Sequence, residues 1–208
     1  MNIAKSKSPL LILISAPSGA GKTTLCQMLL EAQPHMTRAI TCTTRAPRPG
    51  ERDGVDYHFF TAADFLKRLQ AGNFIENATV YGNSYGILKS ELLTKLREGR
   101  DVMLNVDVQG AATIREQAES EPELRRALVT IFLTAPSVMV LEQRLKNRGA
   151  DAEPVIQKRL AVAKQELAQW KNFDYLLVSG SKQEDLRRTL AIIEAEKLRS
   201  SRSAAPEF

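Results

Sequence analysis

The longest apolar run in the chain is Leu10-Leu11-Ile12-Leu13-Ile14. Five such residues with no polar alternate predict a strand buried on both faces. The run passes through Ser15 to Gly21 into a helix that ends before Pro34, so the first unit is strand then helix. Val102 to Val106, ending at Asp107, predicts a second strand, and Ala127 to Leu133 a third, ahead of the helix-prone Ser137 to Asn147. Tyr175-Leu176-Leu177-Val178 predicts a fourth. Apolar strands separated by helices point to an α/β fold, a parallel sheet flanked by helices, and such sheets bind ligands beyond the carboxyl ends of their strands.

Between Ile40 and Lys89 the texture changes. Pro47, Pro49, Gly50, Gly54, Gly72, Gly82 and Gly86 punctuate short aromatic segments such as Tyr57-His58-Phe59-Phe60, which predicts a small inserted lobe of short strands. From Arg144 to Gln169 the chain is strongly charged and helical, broken by Gly149 and Pro154, as in a helical lid. The expected division is therefore a core of 1–40, 90–143 and 170–208, a lobe of 41–89 and a lid of 144–169. A last helix, Lys182 to Arg199, spaces Leu186, Leu190 and Ile193 on one face for packing on the core, and the Ser-Ala-Pro tail after it is expected to fray.

Composition adds exclusions. With 208 residues, 43% hydrophobic and 25% charged, the chain can bury a core without covalent staples. Two cysteines, Cys26 and Cys42, exclude a disulfide framework or a four-cysteine zinc site and suit a reducing compartment. No apolar run approaches the ~20 residues of a membrane span. The start, Met1 to Ser8 with Lys5 and Lys7, lacks the apolar length of a signal peptide, so cytoplasm is the expected location. The net charge of +5 is compatible with a nucleic-acid binder or with arginines around phosphates, and no stretch has five adjacent basic residues.

Chemistry enters directly after the first strand. Ala16-Pro17-Ser18-Gly19-Ala20-Gly21-Lys22-Thr23 matches G-x-x-x-x-G-K-[ST] at every fixed position but the first, where Ala replaces Gly, and Thr24 continues into the helix. Its glycines let backbone N–H groups turn inward around phosphates, and the helix start adds its positive end. In this P-loop core, Lys22 is expected on the β- and γ-phosphates and the Thr23 hydroxyl on magnesium, with Asp107 in a Walker-B-like place. Arg45 and Arg48, three apart on the proline-stiffened loop Thr41 to Glu51, form a fork suited to one more phosphate.

Thr43 to Glu51 reads T-T-R-x-P-R-x-G-E and is followed by Asp56-Tyr57, Phe74-Ile75-Glu76, Tyr85-Gly86, Asp107-Val108-Gln109-Gly110 and Arg144 to Gly149. From Leu10 to Val178 the chain resembles the guanylate kinase family. That resemblance implies transfer of a phosphoryl group from ATP, with Mg2+, to GMP, with dGMP a further acceptor, and no nucleic acid, membrane or obligate protein partner. It implies Arg45, Arg48, Tyr57 and Tyr85 around the GMP phosphate, Arg45 also serving catalysis, Thr41 in the GMP pocket, and Glu76 with Asp107 at the guanine. Residues 16–24 with Arg144 and Arg148 would hold ATP, and Lys22, Arg148 and Arg159 would stabilise the transferring group. The chain departs from the family pattern at Ala16, at Thr41 for Ser, at Ile87 for Ser or Thr near guanine, at Asn105 for an Asp beside magnesium, and at Ser179 for an Asn near adenine. Three alternatives stand beside it: a catalytically silent phosphopeptide-binding relative, a kinase for another nucleoside monophosphate, and a nucleic-acid binder.

Overall fold

The computed structural model describes residues 8–147 and 153–203. At its centre β1 (Leu11–Ser15) is fully buried and lies between two longer-range neighbours, β7 (Asp101–Asn105) and β8 (Leu128–Thr134), both parallel to it. Outside these stand β2 (Met36–Arg38), on β7, and β9 (Tyr175–Val178), on β8, giving an all-parallel sheet of order β2-β7-β1-β8-β9.

The two-residue period of a strand sends alternate side chains to opposite faces. Leu10, Ile12 and Ile14 therefore enter one core with Leu25 and Leu29 of α1 (Lys22–Ala32), Leu141 and Leu145 of α6 (Val138–Lys146), and Ile193 of α8 (Lys182–Lys197). Leu11 and Leu13 enter the other, with Leu92 and Leu96 of α3 (Lys89–Arg97), Ile114 of α4 (Val108–Ser120) and Leu124 of α5 (Pro122–Ala127). The result is helix, sheet, helix, as the uninterrupted apolar strands require.

A second sheet, order β4-β3-β6-β5, is built from β3 (Cys42–Thr43), β4 (His58–Phe59), β5 (Phe74–Val80) and β6 (Asn83–Leu88). Its long hairpin turns at Tyr81 (φ 48) and Gly82 (φ 78), both left-handed, the geometry of a two-residue turn whose twist suits the flanking strands. The segment between β4 and β5 is helical, α2 (Ala62–Gln70), started by the Thr61 hydroxyl accepting from the Asp64 N–H at 3.1 Å. Phe65 of α2 stacks on Phe74 at 4.4 Å and, with Cys42, fills a small separate core.

The edge strand β2 has only three residues behind Pro34 and carried no periodic signal. In the charged segment after Arg144, α7 (Glu153–Leu167) contains Pro154 in its first turn and buries Ile156, Leu160 and Ala163 in the β1 core, beside Leu141 and Leu145 of α6. Ser200–Arg202 after α8 is docked, because Glu196 is 2% exposed and needs partners. Arg202 pairs with it and donates to the carbonyls of Arg126 at 2.9 Å and Leu128 at 3.2 Å. The remaining tail, 204–208, lies outside the described residues.

Gly86 is where the second sheet tolerates least. A Cβ there would stand 2.8 Å from the Phe74 ring and 3.0 Å from the Glu76 carbonyl. Gly86→Ala is expected to destabilise the chain by about 1–3 kcal/mol through forced repacking. An unchanged urea midpoint would contradict this packing.

Candidate functional site

Past β1 the chain turns at Gly19 (φ 90) and Gly21 (φ 105), both in the left-handed region that other residues occupy only with strain. Gly19 also lies under α6, where a Cβ would meet Leu145 at 3.3 Å. No side chain caps the start of α1, so its first amides and its positive dipole end are turned toward any anion at the loop. The cavity there, about 280 Å³, is lined by Ala16, Pro17, Ser18, Gly19, Gly21, Lys22, Thr23 and Thr24, and by two acids from elsewhere, Asp107 and Glu166.

Lys22 Nζ donates to the Val106 carbonyl at the end of β7, at 2.6 Å. Burial pushes its ammonium below the usual lysine range, opposed by the charges of Asp107 and Glu166. Asp107 begins α4, its Oδ1 accepting from the Gly110 N–H at 2.8 Å. Glu166, in the last turn of α7, is pushed up by burial while the Ser18 N–H favours its charged form.

On the other side of the loop a cavity of about 330 Å³ is lined by Gly19, Ala20, Gly21, Thr24, Leu25, Met28, Arg144, Ser179 and Asp185 among others. Arg144 donates to the Ala20 carbonyl at 3.1 Å and to Ser179 Oγ at 3.3 Å. Ser179 donates to Asp185 Oδ2 at 2.8 Å, and the Gly180 N–H to Oδ1 at 2.8 Å. Arg144 and Ser179 thus stand beside the loop.

The second sheet contributes the remaining groups. Arg45 grips both oxygens of Glu51, at 2.8 and 2.9 Å, and the Ala46 carbonyl at 2.7 Å. Its guanidinium lies 5.3 Å from the Tyr57 ring centre, Tyr57 meets Tyr85 edge-on at 6.4 Å, and Tyr85 interacts with Arg45 in turn. Glu51 also accepts the Arg48 N–H at 2.7 Å, and that amide, then Arg45, holds its carboxyl below the usual range. The Arg48 side chain is exposed. Glu76, on β5, reaches the first turn of α4: a Cβ built on Gly110 would stand 3.5 Å from both Glu76 Oε2 and Asp107 Oδ1. Burial, then the neighbouring Asp107 charge, pushes the Glu76 carboxyl up to about 7.

Thr23 joins the two halves. It lines the Lys22 cavity and also a second one shared with Thr41, Ile87, Asn105, Gln27 and Arg38. Lys22, Thr23, Asp107, Glu76 and Thr41 are therefore contiguous, and Arg45, Tyr57 and Tyr85 form a cluster on the same small sheet. Arg148 falls outside the described residues. Arg159 is half-buried on α7, engaged with its surroundings, about two turns before Glu166 and on the same face. Ile87 is 5% exposed and packed with Ile75 in the apolar core, while Asn105 opens to the Thr41 cavity and not to that of Asp107. Glu166 and Asp185 were not singled out from sequence, and Glu51 was noted only as the last residue of the Thr43 to Glu51 run, with no role assigned.

The family described as guanylate kinase matches residues 8–196. A guanylate kinase of Paramagnetospirillum magneticum is 39% identical over 98% of this chain and 92% of its own length, and one of Idiomarina loihiensis is 44% identical over 88% and 83%. The crystal structure of guanylate kinase from Anaplasma phagocytophilum superposes with a TM-score of 0.69 at 29% identity, covering 94% of this chain and 90% of that one.

The position of Glu76 has a measurable signature. Its folded value near 7 lies above the ordinary 4.5, so between those values the folded chain binds more protons than the unfolded one. Stability from this group is then present at low pH and lost as pH rises toward 7. Glu76→Gln is expected to melt higher than the native chain at about pH 8 and to lose that advantage at about pH 4. A difference independent of pH would show that the carboxyl is not buried beside Asp107.

Proposed function

This chain belongs to the guanylate kinase family, and we propose that it transfers the terminal phosphoryl group of ATP directly to the phosphate of GMP, and of dGMP with it. The observation that carries the reading is the shared wall: Thr23 lines the cavity of Lys22 and the cavity of Thr41, so a triphosphate end and an acceptor phosphate can face one another there.

In this reading residues 16–24 cradle the triphosphate, with Lys22 drawn from Val106 onto its terminal oxygens and Arg144 beside the loop. Arg45, Arg48, Tyr57 and Tyr85 take the GMP phosphate, Thr41 lines the GMP pocket, and Arg45 steadies charge on the transferring group. Glu76, ionised on binding, accepts from guanine N1–H and the exocyclic amine, with Asp107 next to it; adenine offers no such donor pair. Arg148 and Arg159, from the 144–169 lid, are assigned to the transferring phosphoryl, and closure of that segment and of the 41–89 lobe excludes water.

The Thr23 hydroxyl, with Asp107 through water, suits Mg2+, which would neutralise phosphate charge when bound. The acceptor oxygen is already ionised near neutrality, so no general base is needed. No covalent intermediate is assigned either: burial pushes the Cys26 thiol up to about 11 and that of Cys42 to about 12. We place the enzyme in the cytoplasm, acting on free nucleotides without nucleic acid, membrane or obligate partner. Among the described residues no helix is long and apolar enough to cross a membrane.

ADP formation measured with GMP, AMP, UMP and dTMP tests the acceptor. GMP is expected to exceed AMP in kcat/KM by a factor on the order of 10⁴, and AMP matching GMP would end the reading. Lys22→Met is expected to keep the fold and GMP binding while kcat falls by about 10²–10³ or more, the scale of losing one preorganised donor. A near-native rate would remove Lys22 from the mechanism.

A further inference from the structure

Glu166 has no place in the reaction described so far, yet it stands inside the triphosphate cavity. Its carboxylate shares that cavity with Lys22, Thr23 and Asp107, and Oε2 is a buried acceptor with no hydrogen-bond partner. Lys22 donates elsewhere, to the Val106 carbonyl. Nor can the side chain drift away cheaply, because α7 is anchored by Ile156, Leu160 and Ala163 in the β1 core. A fixed anion in an anion-binding nest is a contradiction unless something cationic accompanies the ligand. A hydrated divalent cation resolves it, since coordinated water supplies the donors that Oε2 lacks.

We propose that Glu166 makes the donor site selective for the metal-bound form of ATP, repelling the bare triphosphate and accepting it only with a divalent cation between the two anions. The inference rests on the reading of residues 16–24 as the triphosphate site. It also accounts for the neutral Asn105, which opens to the Thr41 cavity: the acids facing the triphosphate cavity are Asp107 and Glu166. Burial pushes the Glu166 carboxyl up, while the Ser18 N–H and the Lys22 ammonium favour its charged form, as a cation beside it would.

At roughly 5–6 Å and an effective dielectric of about 20, one like charge corresponds to more than tenfold in a binding constant. Dissociation constants for ATP, by titration calorimetry in EDTA and in excess MgCl2, give the metal preference of the native protein as a ratio. Native protein is expected to prefer the metal-bound form strongly. Glu166→Gln is expected to tighten metal-free ATP by about tenfold and so shrink the ratio, whereas Glu166→Asp, which keeps the charge, retains most of it. Equal changes in both constants for the Gln variant, or an Asp variant that loses the ratio as Gln does, would mean packing and not charge, and overturns the proposal. So does a native protein indifferent to the metal, a result that needs no variant to fold. If the native chain binds no ATP even with MgCl2, the donor-site reading fails first and takes this inference with it.

Discussion

Lys22, Asp107 and Glu166 share a cleft that is only partly open to water, with Glu76 against Asp107 beside it, and the rest of the site follows from how their charges are balanced. Lost solvation in the loop pushes the Lys22 ammonium below the usual lysine range, and the charges of Asp107 and Glu166 oppose that shift. Glu76 has no such cation, so burial and Asp107 raise its carboxyl toward neutrality. Asp107 therefore sits between a group that needs its charge and one that is penalised by it, while one of its oxygens also starts α4. The parallel sheet makes this convergence unavoidable. Lys22 follows β1, Asp107 follows β7 and Ser179 follows β9, all at the carboxyl ends of their strands.

The small sheet solves a different problem, holding a guanidinium ready without hiding it. Glu51 binds Arg45 through both oxygens and the Arg48 amide as well, so one carboxylate shapes the whole Thr43 to Glu51 loop. The Tyr57 and Phe59 rings stand 5.3 and 6.0 Å from the Arg45 guanidinium, Tyr85 hydrogen-bonds it, and Tyr57 meets Tyr85 edge-on. Because β5 and β6 carry Glu76 and Tyr85 on one hairpin, the buried acid and the tyrosine beside Arg45 keep a constant spacing.

Four of the five strands of the large sheet were legible because each is an apolar run too short for a helix and bounded by turn residues. The P-loop was legible because its glycines and Lys22 stand where a strand meets a helix. Three-residue β2 gave no period to detect, and α2 was hidden in a stretch whose aromatic and glycine content reads as strands. The packed state of α7 was obscured by its charge, although Ile156, Leu160 and Ala163 are spaced for one helical face. Glu166 and Asp185 escaped notice, and Glu51 was seen without its role, for a common reason: an acid on a loop or helix is ordinary until the fold shows what it faces.

The departures from the family pattern become intelligible once each side chain is followed. Ala16 stands where the motif prefers glycine, but the left-handed turns of the loop fall at Gly19 and Gly21 and not at residue 16. Its Cβ points into the β1 core, 5% exposed among Ala20 and Leu141, so the nest loses nothing. Ser179 is shorter than the usual Asn, and Asp185 and Arg144 occupy its hydroxyl from both sides. Ile87 stands where the family pattern carries a hydroxyl; it pairs with Glu76 across the hairpin and is absorbed by the apolar cluster with Ile75. With no hydroxyl from that neighbour, the groups that set the state of the Glu76 carboxyl are its own burial and then the charge of Asp107, which faces it at Gly110.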